Sequence, residues 1–347
     1  MLRISSLVLV LMLFKNAEAK IWRVNNNAGV IADFNSFAAA MASASVVNGD
    51  TIHIEPSATQ YPGATVSKRL VIIGAGYLLD PANTSFPGNA GLQASVLVSN
   101  TGTISLVAGS EGSKIMGITF ASITVGNLVA PTNLVIERCF ATGPIAFSNG
   151  SYSNVTIRKC FFSDRWIEQT SGSMTGFVCE NNIFHSSFAY INLGTLTGTG
   201  NIFRNNSLNG VGVNSTLANC YVANNIFGSV AINLTNCVVK NNFFSTNQTL
   251  PGTAVGNQVN VVMSNVYQLT GSFDGQYALK AGSPALNAGV TVGGITPNIG
   301  AYSGGGIDSY VPSGIPNIPT IYQLTVPTSI PTGTATMNVT ISTRNNN

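Results

Sequence analysis

Charge is what this chain has least of. Only 8% of its 347 residues are Asp, Glu, Lys or Arg, against about 25% in an ordinary globular protein. Its 15 Lys and Arg against 12 Asp and Glu give a formal net charge of +3, which leaves no basic field for a nucleic acid. Disorder driven by self-repulsion is excluded as well, because 45% of the residues are hydrophobic and net charge is small. The sequence has 2 His and no Cys-x-x-Cys, so it offers no ligand cluster for a metal, and no metal or other cofactor is expected. The 5 cysteines are too few for a disulfide framework in a chain of this length, and their odd number leaves at least one unpaired. The 36 glycines lack the period of three that collagen requires. No apolar run reaches the roughly 18 residues of a membrane span. A surface this poor in charge must be solvated by Asn, Ser, Thr and Gly.

The N-terminus carries a different pattern. Arg3 precedes the apolar run Ile4 to Phe14, and Ala17-Glu18-Ala19 forms an A-x-A cleavage site. Residues 1–19 therefore have the layout of a secretory signal peptide, which predicts export to a periplasmic, extracellular or cell-surface location.

The body of the chain is built on a repeat. An apolar residue is followed, three positions on, by an anchor that is often Asn, and two positions later by an aromatic. Examples are Ile157-Arg-Lys-Cys160-Phe-Phe162, Cys179-Glu-Asn-Asn182-Ile-Phe184 and Val222-Ala-Asn-Asn225-Ile-Phe227. Anchors placed at 118, 139, 160, 182, 201, 225, 242 and 265 recur about every 21 residues. Within a unit the apolar positions alternate, as in Val155 and Ile157, which is the period of a strand and not of a helix. Short strands, Asn/Gly turns and this period predict a solenoid. The Leu-x-x-Leu-x-Leu scaffold of leucine-rich repeats is missing, which leaves an all-β right-handed parallel β-helix of about ten coils.

Such a register predicts stacked rows. Phe120, Phe162, Phe184, Phe203, Phe227, Phe244 and Tyr267 would form an aromatic row, and Asn182, Asn201, Asn225, Asn242 and Asn265 an asparagine row at a turn. Cys139 and Cys160 share the anchor position, and Cys220 and Cys237 share another, either as small buried hydrophobes or as disulfides between coils. A further apolar row follows the anchors: Phe140, Phe161, Ile183, Ile202, Ile226, Phe243 and Val266. It is either a second layer of core or an outward stripe that needs a cover.

The ends have their own motifs. Asp33 or Asn35 can cap a short helix from Phe37 to Ala44, followed by Gly49-Asp-Thr-Ile52 and Ile72-Ile-Gly-Ala-Gly76. Near the other end, Ser283-Pro-Ala285 precedes Ile299-Gly-Ala301. With these motifs, residues 20–303 resemble secreted right-handed parallel β-helix proteins of bacterial type, with the pectin-lyase-like fold. The resemblance implies a capped β-helix domain over 20–303. Beyond it the sequence suggests a Pro/Gly-rich linker over 304–321 and a β-strand tail over 322–347, with strands at 322–326 and 337–341.

The fold alone hosts lyases, hydrolases, adhesins and inert fibres. A hydrolase needs paired carboxylates, and here the aspartates are scattered. Glu137, Arg158 and Glu180 stand at equivalent positions and predict an outward ladder of alternating charge. The reading favours a non-catalytic surface, adhesive or fibre-forming protein. The alternative is a carbohydrate-active enzyme, lyase-like by resemblance, or a saccharide-binding protein. If chemistry is present, the candidate residues are Arg158, Lys159, Glu180 and His185. The expected partners are a polysaccharide or a second copy, met through the tail.

Overall fold

The computed structural model describes residues 19–346 except 127, 129–131, 149, 165–166, 170, 186–190, 210–214, 229–231 and 305–307. Residues 1–18 of the signal-like segment, and Arg165 and Trp166 in the charge-rich middle, therefore lie outside the described residues.

The described chain winds as a parallel β-solenoid. The first face is a ten-stranded parallel sheet that starts at Ile21–Val24, continues through Thr51–Ile54 and Val71–Ile73, and ends at Val238–Lys240. Each coil then turns onto a second face of two-residue strands, such as Phe161–Phe162 and Ile183–Phe184, and onto a third face, such as Ile167–Gln169 and Asn233–Thr235. In the early coils, Asn100–Leu106 and Thr119–Val125 run through both of these faces unbroken. Strand side chains alternate, so every second strand residue points inward. On the first face the inward row is Ile52, Ile72, Ile115, Ile136, Ile157, Cys179, Phe203, Val222 and Val239, in register from coil to coil and fully buried.

The turn between the first and second faces explains the Asn-Asn doublets. The first residue of each pair, Asn181, Asn205, Asn224 or Asn241, has φ between 48° and 57°, the left-handed region that asparagine tolerates best among residues with a Cβ. The second residue forms an axial ladder. Each carboxamide oxygen accepts from the backbone N–H of the preceding rung: Cys160 to Asn182, Asn182 to Asn206, Asn206 to Asn225, Asn225 to Asn242 and Asn242 to Asn257, all at 2.9 Å. Each Nδ2 donates to a carbonyl three residues before the preceding anchor, for example Asn206 to Cys179 and Asn225 to Phe203. At the early anchors Cys139 and Cys160 take the same place, and their thiols lie 3.7 Å from the equivalent carbonyls of Ile115 and Ile136. All five cysteines are buried and unbridged.

The ladder corrects the register read from the sequence. The anchor of its coil is Asn206, not Asn201, and the coil after Asn242 is anchored at Asn257, not Asn265. Phe203 therefore belongs to the first-face row, opposite Cys179 and Val222. Leu208 takes its place between Phe184 and Phe227, although the Phe203 ring still stacks on Phe227 at 6.3 Å. Tyr267 leaves the aromatic row, since Met263–Asn265 is a 3-10 turn beyond the last rung. The motif matched at the wrong place because Asn201-Ile-Phe203 and Asn206-Ser-Leu208 stand five residues apart, and only the first ends in an aromatic.

At the entry, helix α1 (Phe37–Ala42) buries Phe37 and Ala40. Its cap is Ser36, whose hydroxyl accepts from the Ala39 N–H at 3.2 Å, and not Asp33 or Asn35. Asp33 instead accepts from the Arg23 N–H. The helix follows the first strand, so one rung of the solenoid precedes it.

The row Phe140, Phe161, Ile183, Ile226 and Phe243 faces outward, yet it is buried. Its fourth position is filled by Ser207 and not by Ile202, which lies on the first face. The cover is not the tail. It is the chain's own return segment, which contributes Val266, Tyr267, Tyr277, Ala285, Ile299, Ala301 and Tyr310 to the same cluster. Burying each large side chain of that row contributes roughly 1.5–3 kcal/mol, a reason for the chain to fold back over its coils.

The ladder generates a stability comparison. Asn225→Ala orphans the buried Asn206 N–H and the Phe203 carbonyl, at about 1–3 kcal/mol for each group. Asn265→Ala removes an exposed side chain and should change stability by less than about 0.5 kcal/mol. Urea unfolding of the two variants should separate them by at least about 2 kcal/mol; equal midpoints would contradict the ladder.

Candidate functional site

The return segment descends the solenoid one coil at a time, held by the residues of the left-handed turn. Asn241 Nδ2 donates to the Ala288 carbonyl at 2.9 Å. Asn224 accepts from the Val290 N–H through its side chain and from the Gly300 N–H through its carbonyl, both at 2.8 Å. Asn181 Nδ2 donates to Ala301 O and Ser303 Oγ. In the two coils before these the turn residues are Lys159 and Arg138, also at positive φ. Lys159 pairs with Asp308, and Arg138 donates to the Ile315 carbonyl at 2.6 Å. The turn side chains of Asn241, Asn224, Asn181, Lys159 and Arg138 thus serve as clasps, while that of Asn205 accepts from Asn224 Nδ2 at 3.2 Å. The stretch expected as an extended linker is thus partly packed, with Tyr310, Ser313, Gly314, Ile315 and Pro316 buried.

Three of the four candidate site residues fall along this seam. Arg158 is in register between Glu137 and Glu180 and bridges Glu137 at 2.6 Å, with Asp308 3.7 Å away. Glu137 also takes Lys114 at 2.7 Å, and Glu180 takes Arg204 at 2.8 Å. The ladder of alternating charge exists, but its carboxylates are buried while Arg158 and Arg204 stay a third to a half exposed. Glu137 and Glu180 are 2% and 8% exposed, and the Lys159 side chain is 7% exposed. Beside them a cleft of only about 60 Å³ remains, between Glu180, Arg204, Tyr221 and Asp308. Arg158, Lys159 and Glu180 are thereby neutralised and positioned as fasteners.

His185 stands apart, on the second face. Its Nδ1 meets the Tyr277 hydroxyl at 2.5 Å, and its ring lies 4.5 Å from that of Phe273. Burial lowers its affinity for a proton, against a smaller opposing pull from Asp164. It acts as a contact between coil and return segment.

One group that sequence reasoning singled out only as scattered is central. Asp274 is fully buried, and its hydrogen-bond partners are all neutral. Its oxygens accept from Asn89 at 2.8 Å, Ser272 at 2.9 Å, the Tyr310 hydroxyl at 3.1 Å and the Ser313 N–H at 2.7 Å. Tyr77 donates onward to Tyr310 at 2.7 Å. Burial, with the Asp274 charge second, holds both phenols well above their usual range, so both stay protonated donors. Apart from Ser272, the partners are 36 to 185 residues from Asp274 in sequence, so no local motif announces the site.

A larger cleft of about 410 Å³ lies between the loop 78–98 and the early coils. It is lined by Phe86, Phe140, Asp80, Asn83, Gln60 and Thr142 among others. No group of three or more His, Cys, Asp or Glu placed to hold a metal occurs among the described residues. No helix among them is long and apolar enough to cross a membrane. No protein-family model matches this sequence, and no curated protein matches it significantly.

Two outcomes follow from this geometry. Asp274→Ala removes the acceptor for Ser313 and Tyr310, and hydrogen exchange at the Ser313 amide should accelerate while that at Asn225 stays slow. The pH dependence has one sign. Burial lowers the pKa of His53 and His185. Burial alone would raise the carboxyls of Asp50, Glu55 and Glu137, but hydrogen bonds from Val47, Lys20 and Trp22, from Arg23 and Asn25, and from Lys114 and Arg158 bring each below its ordinary value. In every case the unfolded chain binds more protons, so stability is lost as pH falls. Thermal unfolding should show a first decline below about pH 6.5, where unfolded His titrates, and a steeper one below about pH 4, where unfolded carboxylates do.

Proposed function

We propose that this chain is an exported, non-catalytic structural protein of surface or fibre type, and that it meets its partner through the C-terminal hairpin. The export part rests on the signal-like layout of residues 1–19. The observation that carries the reading is the contrast between two regions. The charged residues that might act chemically are tied into ion pairs under the return segment. The hairpin of Thr320–Thr325 with Thr340–Arg344 leaves its apolar side chains bare: Leu324, Ile330 and Ile341 are each more than half exposed. A two-stranded hairpin is marginal alone in water, and a run of exposed apolar residues marks an interaction surface. Among the described residues the hydrogen bonds that tie the hairpin to the solenoid lie at its base, from Ala94 to Ile321 at 2.9 Å and from Arg344 to Leu92 at 2.6 Å.

A saccharide-binding reading, in line with the pectin-lyase-like resemblance, has one observation in its favour. The 410 Å³ cleft sets the aromatic rings of Phe86 and Phe140 beside amide and carboxylate side chains, the mixture that sugar rings require.

The test uses Leu324 and Ile341, which are directly opposite each other in the hairpin. Leu324→Lys with Ile341→Glu keeps a favourable cross-strand pair and removes the apolar surface. Light scattering should give the parent chain a mass several-fold above that of a monomer and the double variant a monomer mass. A monomeric parent, or equal masses for the two, would reject the reading. Release of unsaturated sugars from acidic polysaccharides by the purified chain would reject its non-catalytic part.

A further inference from the structure

The two ends of the solenoid are finished differently. At the entry the edge strand Ile21–Val24 carries Arg23, paired with Glu55, and Lys20 directly precedes it. Charges on an edge discourage strand addition. At the far end the first and second faces are each continued by one bridge, Lys240 to Val255 and Phe243 to Gln258. The third face stops at Asn233–Thr235, the last strand of its sheet.

That last strand is an open acceptor. The Asn233 N–H donates to Ser215 at 2.9 Å, and the Thr235 carbonyl accepts from Asn219 at 3.0 Å. Both bonds point back into the stack. Alternation along a parallel ladder therefore turns the N–H and C=O of Leu234 outward. Two residues earlier a substitute is already in place. The Gln248 carboxamide accepts from the Ile232 N–H and donates to the Ile232 carbonyl, both at 3.0 Å, as a further strand would. Beside this edge is a broad depression of about 730 Å³, lined by Leu234, Val238, Leu250 and Pro251 with no charged residue.

We propose that this edge receives the C-terminal hairpin of a second copy of the chain. The proposal rests on the hairpin being an association surface, and it names what the hairpin meets. Three observations select this occupant. From Thr320 to Thr343 the hairpin carries no charged residue, matching an uncharged depression. It presents a strand edge and exposed apolar side chains, the two things the open rung can pair with and bury. Its paired strands fall short of its own edge. Its base is tied to Leu92 and Ala94, and the neighbouring Gln93 donates to Ala75 at 2.8 Å. Ala75 follows the third strand of the first face, six rungs before the coil of Asn233–Thr235, or roughly 29 Å at about 4.8 Å per rung. The paired strands span roughly 20 Å at about 3.4 Å per residue. Donor and acceptor are different surfaces on one molecule, so the contact is heterologous and grows as a chain.

The experiment complements two full-length variants. Leu234→Pro blocks the acceptor edge, because it removes an outward N–H and no bond within the stack. Asn233→Lys with Thr235→Lys, at exposed positions, blocks the same edge without proline and serves if the first variant unfolds. Leu324→Lys with Ile341→Glu disables the hairpin and leaves the edge. Each variant alone should be a monomer by light scattering. An equimolar mixture of an edge variant with the hairpin variant should double the mass, because each supplies the surface the other lacks. If both edge variants assemble as the parent does, or if the mixture stays monomeric, the edge is not the acceptor, while the hairpin reading survives. If the hairpin variant assembles as the parent does, that reading falls first.

Discussion

Everything in this molecule depends on how the backbone leaves the first face. Each coil must turn there with one residue in the left-handed region and the next in the path of the axis. Asparagine meets both demands. As the first residue it tolerates positive φ, and as the second it offers one acceptor to the rung before and donors to that rung's carbonyl and to the amide oxygen beyond. The ladder from Asn182 to Asn257 satisfies turn groups that would otherwise be buried without partners. Where Cys139 and Cys160 stand in its place, the thiol keeps only a weak version of the same contact, and a Lys or Arg precedes it.

The same turn fixes the outside of the protein. Because strand side chains alternate, a residue that follows an inward anchor must point out. Five of these are large and apolar, and water cannot be left against them. The chain answers by running back along its own coils from Val266 to Ile315. The turn residues, which project outward, take hold of it in descending order. The clasp uses amides where the return segment shows carbonyls and amide N–H groups, and Lys159 where it shows Asp308. Asp274 fastens the arrangement at the early coils by joining the loop at Asn89 to Tyr310 and Ser313.

Scarcity of charge gives the few ionic groups an unusual distribution. In an ordinary protein they would solvate the surface. Here several are drawn to the seam, where Glu137 and Glu180 are nearly buried and pair with Lys114, Arg158 and Arg204. The outer surface is left to Asn, Ser and Thr, and the C-terminal hairpin to apolar side chains.

The period and the alternation were legible in the sequence, because a solenoid repeats its local chemistry and each rung contacts only its neighbours. They determined the class of fold, the interior rows and the outward apolar row. The Asn-Asn doublets at 181, 205, 224 and 241 were also present, and they carry the register more faithfully than the aromatics do. An aromatic fits equally well on either inward face, as Phe203 shows, whereas the left-handed turn admits the doublet at one place only. What covers the row, the pairing of Arg158 and Lys159 with Asp308, the burial of Glu180, the separation of His185 from them and the role of Asp274 were decided by tertiary structure alone. These contacts join residues tens to hundreds of positions apart through a segment that has no repeat, and a local pattern holds no record of where such a segment comes to rest.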